Sequence, residues 1–278
     1  MNAIIIGLTL LAATLHATWN AVLRSGADRL WSITIMSLPT TLAGLVCALV
    51  LPLPLSASWI YLGISAGLQV VYSAFLAYAY EHGALGEVYP IVRGSVPLLV
   101  TLGGFLIAGQ RLTGTAALGI ALVSLGILSL AVGRTRATAR ALVYALATGL
   151  FVASYVTTDG VGVRLAGNPQ AYVAWIFVCY GALMPIAYVL LRGKIALDLR
   201  SPEALKAMAG GVVSIGSYGA IVTALSLGNI GPISALRETS IVFSALIGRV
   251  FLGETLTRRR ILVCLAVTLG AVCIGYGA

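Results

Sequence analysis

The sequence predicts an all-α polytopic membrane protein with ten transmembrane helices in two inverted five-helix repeats. The first reason is composition: 60% of the 278 residues are hydrophobic and 9% charged, with mean hydropathy +1.03, whereas soluble domains run near 45–50% apolar and about 25% charged. Such a chain cannot clothe a water-facing surface. The second is length: at roughly 20 residues per crossing and about seven per connection, the chain holds about ten spans and no soluble domain. The third is an internal repeat.

Apolar runs of spanning length fall at 3–23, 31–51, 58–80, 87–107, 115–133, 141–158, 170–191, 204–226, 231–251 and 260–277. Span one has no Lys or Arg before Ala3, so it lacks the basic region of a signal peptide and reads as a crossing. Span two follows Gly26 to Arg29, span three follows Pro52 and Pro54, and span four begins beyond His82-Gly83. Gly109 to Gly114 sets off span five, a basic stretch from Arg134 to Arg140 precedes span six, and Asp159 closes that span. Asn168-Pro169 opens span seven. The polar connection Arg192 to Ser201 ends in Ser201-Pro202-Glu203, where serine caps, proline occupies the first turn and the acid meets the positive helix end, so span eight starts there. Gly228 and Arg258 punctuate spans nine and ten. Each span must be a helix, because lipid-facing backbone has to satisfy its hydrogen bonds internally and no run alternates as a barrel strand does.

Gly109-Gln110-Arg111-Leu112-Thr113 recurs as Gly253-Glu254-Thr255-Leu256-Thr257, and the same offset carries Arg93 onto Arg237. More weakly, His16, Trp19 and Asn20 of span one correspond to Tyr155, Thr157, Thr158 and Asp159 of span six. The expected division is a first repeat over 1–133, a basic linker over 134–140 and a second repeat over 141–278. Since five spans is an odd number, the second half enters the membrane in the opposite sense, an architecture of secondary transporters.

Lys+Arg 17 against Asp+Glu 8 gives a net charge of +9, which in a soluble chain would suggest nucleic acid. Here the basic residues sit at span ends and no nucleic-acid partner is expected. Connections 1–2, 3–4, 5–6, 7–8 and 9–10 carry twelve of them: Arg24, Arg29, Arg134, Arg136, Arg140, Arg192, Lys194, Arg200, Lys206, Arg258, Arg259 and Arg260. The other side carries Arg111 and Arg164. The positive-inside rule makes the first side cytoplasmic and puts both termini outside. Cys47, Cys179, Cys264 and Cys273 lie in apolar runs without C-x-x-C spacing and read as packing residues.

Three arginines remain inside spans. Arg249 is near a span end and can snorkel. Arg93 and Arg237 each lie roughly 9 Å deep at 1.5 Å per residue, where an arginine costs about 2.5–3.5 kcal/mol to insert. Entering from opposite faces, they would bracket the midplane and hold an anionic group in the two-pronged geometry of guanidinium. The alternative is internal neutralisation, of Arg237 by Glu238 and of Arg93 by Glu81 or Glu87. Adjacent residues point in different directions on a helix, so Arg237 and Glu238 need not pair. Glu238, the carboxylate deep in a span, is a candidate for proton coupling or for a structural salt bridge. His16, Trp19 and Asn20 share one face of span one and read as cavity lining, with packing as the bland alternative. Tyr72, Tyr89 and Tyr155 either add hydroxyls to that cavity or belong to interfacial belts.

Gly63-Ile64-Ser65-Ala66-Gly67 matches a nucleophile-elbow pattern but lies within a span with no strand before it; its glycines read as a small-xxx-small helix contact. No H-E-x-x-H or phosphate-cradling G-x-x-x-x-G-K occurs. No enzyme chemistry, cofactor or metal is expected.

Tyr89-Pro90-Ile91-Val92-Arg93-Gly94, Ala235-Leu236-Arg237-Glu238-Thr239-Ser240 and the two Gly-x-x-Leu-Thr segments resemble the drug/metabolite transporter superfamily, specifically its EamA-like members, over nearly the whole chain. Gln110 departs from the glutamate usual in such members. The resemblance implies a ten-helix bundle with a central cavity, alternating access, and export or uptake of amino acids, nucleotides, sugars, drugs or other metabolites. The superfamily's small multidrug members depend on a glutamate in their first helix; none lies between Met1 and Leu23, so that coupling does not transfer. Many relatives have cytoplasmic termini, against the charge count here. The functional expectation is a secondary transporter, in the plasma (inner) membrane of a bacterium, moving a small anionic or zwitterionic metabolite such as an amino acid, organic acid or phosphonate. A drug or cation exporter and a lipid-carrier flippase are the alternatives. Oligomeric state stays open, a homodimer among the choices.

Overall fold

The architecture follows from apolar runs capped by short polar residues. The computed structural model describes residues 1–24, 26, 28–82, 85–131, 138–195, 198–251 and 256–277. These form α1 (Ala3–Arg24), α2 (Arg29–Val50), α3 (Trp59–His82), α4 (Leu85–Leu106), α5 (Gly114–Ser129), α6 (Ala139–Leu165), α7 (Pro169–Arg192), α8 (Pro202–Leu227), α9 (Ile230–Arg237), α10 (Ser240–Phe251) and α11 (Arg258–Gly277), with no strand among the described residues. Side-chain oxygens start most of these elements. Asp28 accepts from the Trp31 N–H at 3.0 Å, and Thr113, Thr138 and Asn168 do the same for α5, α6 and α7 at 3.2, 3.2 and 3.1 Å. Ser201 accepts from Ala204 at 3.2 Å ahead of Pro202 and Glu203, as the sequence of span eight requires.

Among the described residues nine helical stretches are long and apolar enough to cross a membrane, the eighth of them joining α9 and α10. The tenth, α5, has 16 residues, roughly 24 Å at 1.5 Å per residue. The crossings are even in number, and the N-terminal amine of Met1 accordingly lies beside the chain's other end, donating to the Gly275 carbonyl at 3.4 Å.

The packing partners come in twins. By the repeat, α1, α2, α3, α4 and α5 correspond to α6, α7, α8, the pair α9 and α10, and α11. The contact of α3 with α6 then maps onto that of α8 with α1, α2 with α8 onto α7 with α3, and α4 with α6 onto α9 and α10 with α1; α2–α7 and α5–α11 map onto themselves. That is the pattern of a two-fold between the halves.

Four expectations need correction. Span six runs to Leu165, not to 158. Asp159 and Arg164 suggested an end, yet Asp159 is buried on tyrosine hydroxyls and Arg164 donates from Nε and Nη2 to the one Leu225 carbonyl at 3.2 and 3.1 Å, and to that of Gly228. Polar residues stop a span only when nothing inside the protein satisfies them. Span nine is broken. At Glu238 and Thr239 the backbone bonds close to i−3, with Glu238 N to Ala235 O and Thr239 N to Leu236 O both 3.1 Å, a tightened turn inside the membrane. The expected linker 134–140 is shorter, because Thr138 caps α6 and Ala139 begins it; Arg134 and Arg136 lie outside the described residues, as do Gly253, Glu254 and Thr255 of the repeat motif. Lastly, among the described residues no helix packs on Gly63 and Gly67, since neither has an atom within 4 Å of an added Cβ. Leu62, Ser65 and Ala66 on the opposite face of α3 are the buried ones.

The close approaches lie elsewhere. A Cβ on Gly119 of α5 would meet the Gly270 carbonyl of α11 at 2.6 Å, and one on Gly211 of α8 would run into the Met36 carbonyl of α2. Backbone cannot yield as a side chain does, so Gly119→Ala is expected to destabilise by about 1–3 kcal/mol, read as a lowered Tm of the detergent-purified protein.

Candidate functional site

The start of α4, the turn between α9 and α10, and the polar face of α1 bring Arg93, Arg237, Glu238 and His16 to one place. A cavity of about 1150 Å³ of unfilled space, its open mouth included, is bounded by His16, Trp19 and Asn20 of α1, Gln69 and Tyr72 of α3, Tyr89 and Arg93 of α4, Tyr155 of α6, Tyr180 of α7, Tyr218 of α8 and Arg237 of α9. Eight of the nine residues singled out from the sequence thus face one space. The ninth, Glu238, sits behind Arg93.

The cavity occupies the half of the bundle toward the basic connections. Its α1 residues lie near the end of that helix, its α2 and α4 residues near their starts, and Leu23 and Met36 also line a groove reaching Asp28, Glu203 and Lys206 at that end. The opposite half is filled by an apolar cluster that includes Ile5, Leu62, Val100, Tyr172, Ile221 and Ile230.

At the centre, Arg93 Nη1 donates to Glu238 Oε1 at 3.2 Å, with the two side chains 12% and 2% exposed. Arg93 Nη2 contacts His16 Nε2, and Arg237 Nη2 lies 3.1 Å from His16 Nδ1. Arg93 also lies over the Tyr89 ring, 5.5 Å from its centroid. His16 is held edge-on against Trp19 with ring centroids 4.8 Å apart at 87°, and the Asn20 amide donates to the His16 carbonyl at 2.9 Å. Tyr72 and Tyr155 stack at 5.4 Å, which makes them cavity wall and not an interfacial belt.

Guanidinium only donates, and a neutral imidazole offers one acceptor nitrogen and one N–H, so His16 can accept from one arginine and must turn an N–H toward the other. The Nε of Arg237 and the Oε2 of Glu238 are buried with no hydrogen-bond partner among the described residues. Arg237 has no carboxylate partner among the described residues, so its charge is left at the cavity wall.

The neutralising partners expected for Arg93 are corrected. Glu81 pairs instead with Arg192 at the basic end of the bundle, and the side chain of Glu87 lies outside the described residues. Arg237 and Glu238 do not pair; Glu238 turns to Arg93, as their adjacency on the helix allowed. Arg249 is exposed on the last turn of α10. The sequence reading missed Gln69, Tyr180 and Tyr218. Gln69 lies three residues before Tyr72, and Ser214 and Ser217 share a helical face with Tyr218, so the same spacing that singled out His16, Trp19 and Asn20 could have found them.

A ten-span bundle with a charged cavity at its centre defines a polytopic integral membrane protein built around a solute-sized site. The profile of the EamA-like transporter family matches residues 139–276, the second repeat, and this match supports a membrane transporter of the drug/metabolite superfamily. A solved structure, described only as a crystal structure of a protein, superposes with a TM-score of 0.75 at 18% identity, covering 97% of this chain and 94% of its own; at that identity it supports the fold alone. No curated protein matches the sequence.

Proposed function

We propose that the protein is a secondary transporter for a small anionic or zwitterionic metabolite of the amino-acid, organic-acid or phosphonate kind, working by alternating access. The buried Nε of Arg237, on the cavity wall and without a hydrogen-bond partner among the described residues, carries this reading. An oxygen-rich anion entering the cavity meets Arg237 two-pronged and competes with Glu238 for Arg93. Glu238 acts as an internal counter-anion that keeps Arg93 in place while the site is empty. Trp19, Asn20, Tyr72, Tyr89 and Tyr155 supply aromatic faces and polar groups around the rest of the solute. A lipophilic cation would be repelled by Arg237, which has no carboxylate partner among the described residues, and this disfavours a drug or cation exporter.

Thermal shift of the purified protein tests this. Amino acids, organic acids and phosphonates are expected to raise Tm, since a ligand at a hundred times its Kd stabilises by about 2.7 kcal/mol. Stabilisation by lipophilic cations with none by any anion would overturn the assignment, and lipid movement in liposomes without a soluble ligand would favour a flippase. The basic end is proposed as cytoplasmic, so the cavity of this state faces inward and both termini lie outside. Reporters fused to either end should be active only outside the cytoplasm; cytoplasmic activity would reverse the orientation.

A further inference from the structure

A second buried carboxyl lies beneath the cavity, and nothing in the anion site uses it. Asp159 of α6 is 1% exposed. Its Oδ1 accepts from the Tyr172 hydroxyl at 3.1 Å and its Oδ2 from the Tyr218 hydroxyl at 2.6 Å. Gln69 Nε2 donates to the Tyr218 oxygen and to Ser65 Oγ, each at 3.1 Å. The network joins α3, α6, α7 and α8, and two of its members, Gln69 and Tyr218, face the cavity. The position is built: an added Cβ on Gly162 would lie 2.5 Å from the Tyr172 hydroxyl, so only glycine there lets that tyrosine reach the carboxyl.

Among the described residues no cation forms an ion pair with Asp159. The titratable groups facing it are Tyr172 from α7 and Tyr218 from α8, while α3 contributes Ser65 and Gln69. From α4, Gly103 meets Thr157, and from α9, Ile230 meets Gly160, so neither helix brings charge to it. Arg164, further along α6, is spent on the carbonyls of Leu225 and Gly228. Glu238 differs in kind, because Arg93 compensates its charge. A buried carboxyl without a cation can be neutralised only by a proton.

We infer that Asp159 is a proton-binding site connected to the cavity through the Tyr218 hydroxyl. The proton comes from cavity water to the Tyr218 oxygen as that oxygen's own proton passes to Asp159 Oδ2, forming one O–H bond for each one broken; release runs in reverse. As the coupling site of transport it rests on the transporter reading, with the carboxyl facing the closed end in this state and so placed to exchange its proton on the other side after the bundle rearranges.

The test is infrared difference spectroscopy of the purified protein, with no substrate present, between acidic and alkaline buffer. The wild type should show a carboxylic-acid C=O band that disappears on the alkaline side. Asp159→Asn, which keeps the acceptor and the shape, should lose the band, Glu238→Gln should keep it, and Asp159→Glu should keep it at a shifted frequency. A wild type without the band, a band surviving Asp159→Asn, or a band lost in Glu238→Gln would each overturn the assignment. If Asp159→Asn does not fold, the unshifted band of Asp159→Glu decides against the proposal and the shifted band for it. Because no anion is used, failure of the arginine site leaves this outcome untouched.

Discussion

Arg237→Ala is expected to abolish transport and to leave folded protein in the membrane. Each charge-assisted hydrogen bond contributes about 1.5–3 kcal/mol, so losing a two-pronged contact weakens anion binding by on the order of 100-fold or more. Nothing in the fold opposes the change. Arg237 has no carboxylate partner among the described residues, its Nε is already orphaned, and its removal frees the second nitrogen of His16. Arg237→Lys should recover little, since an ammonium presents a point charge in place of a planar fork. Transport in proteoliposomes alongside size-exclusion behaviour in detergent checks both halves of the expectation. Normal transport by the alanine variant would refute the anion site.

Arg93→Ala is expected to fail differently, by loss of stability as well as of transport. It strands Glu238, 2% exposed, with no countercharge, and removing one partner of a buried pair costs about 3–5 kcal/mol. Adding Glu238→Gln removes the stranded charge and should return most of that stability without returning transport. Denaturation of the single and double variants measures the rescue. A double variant no more stable than Arg93→Ala would show that the pair does not hold the site together.

The spans were legible because lipid imposes one rule on every crossing, and caps such as Ser201-Pro202 mark where crossings begin. The central charges were legible for the same reason, as arginine inside an apolar run has no cheap explanation. Their pairing was not. Whether Glu238 turns to Arg237 or to Arg93 depends on the tightened turn after Arg237, which leaves no mark in an apolar run. Asp159 was read as a span end because its compensation comes from Tyr172 and Tyr218, 13 and 59 residues away along the chain. Gln69 and Tyr180 carry no charge, so their insertion cost does not single them out.

The repeat has a straight copy and a bent one. Arg93 lies in α4, which continues from Leu85 to Leu106 despite Pro90 and Pro97, while Arg237 ends α9 just before the chain tightens and restarts as α10. Two copies of identical shape, related by inversion, would make a molecule whose two ends look alike, equally open or equally blocked. The bend after Arg237 is where that equivalence is lost, and it falls on the cavity wall.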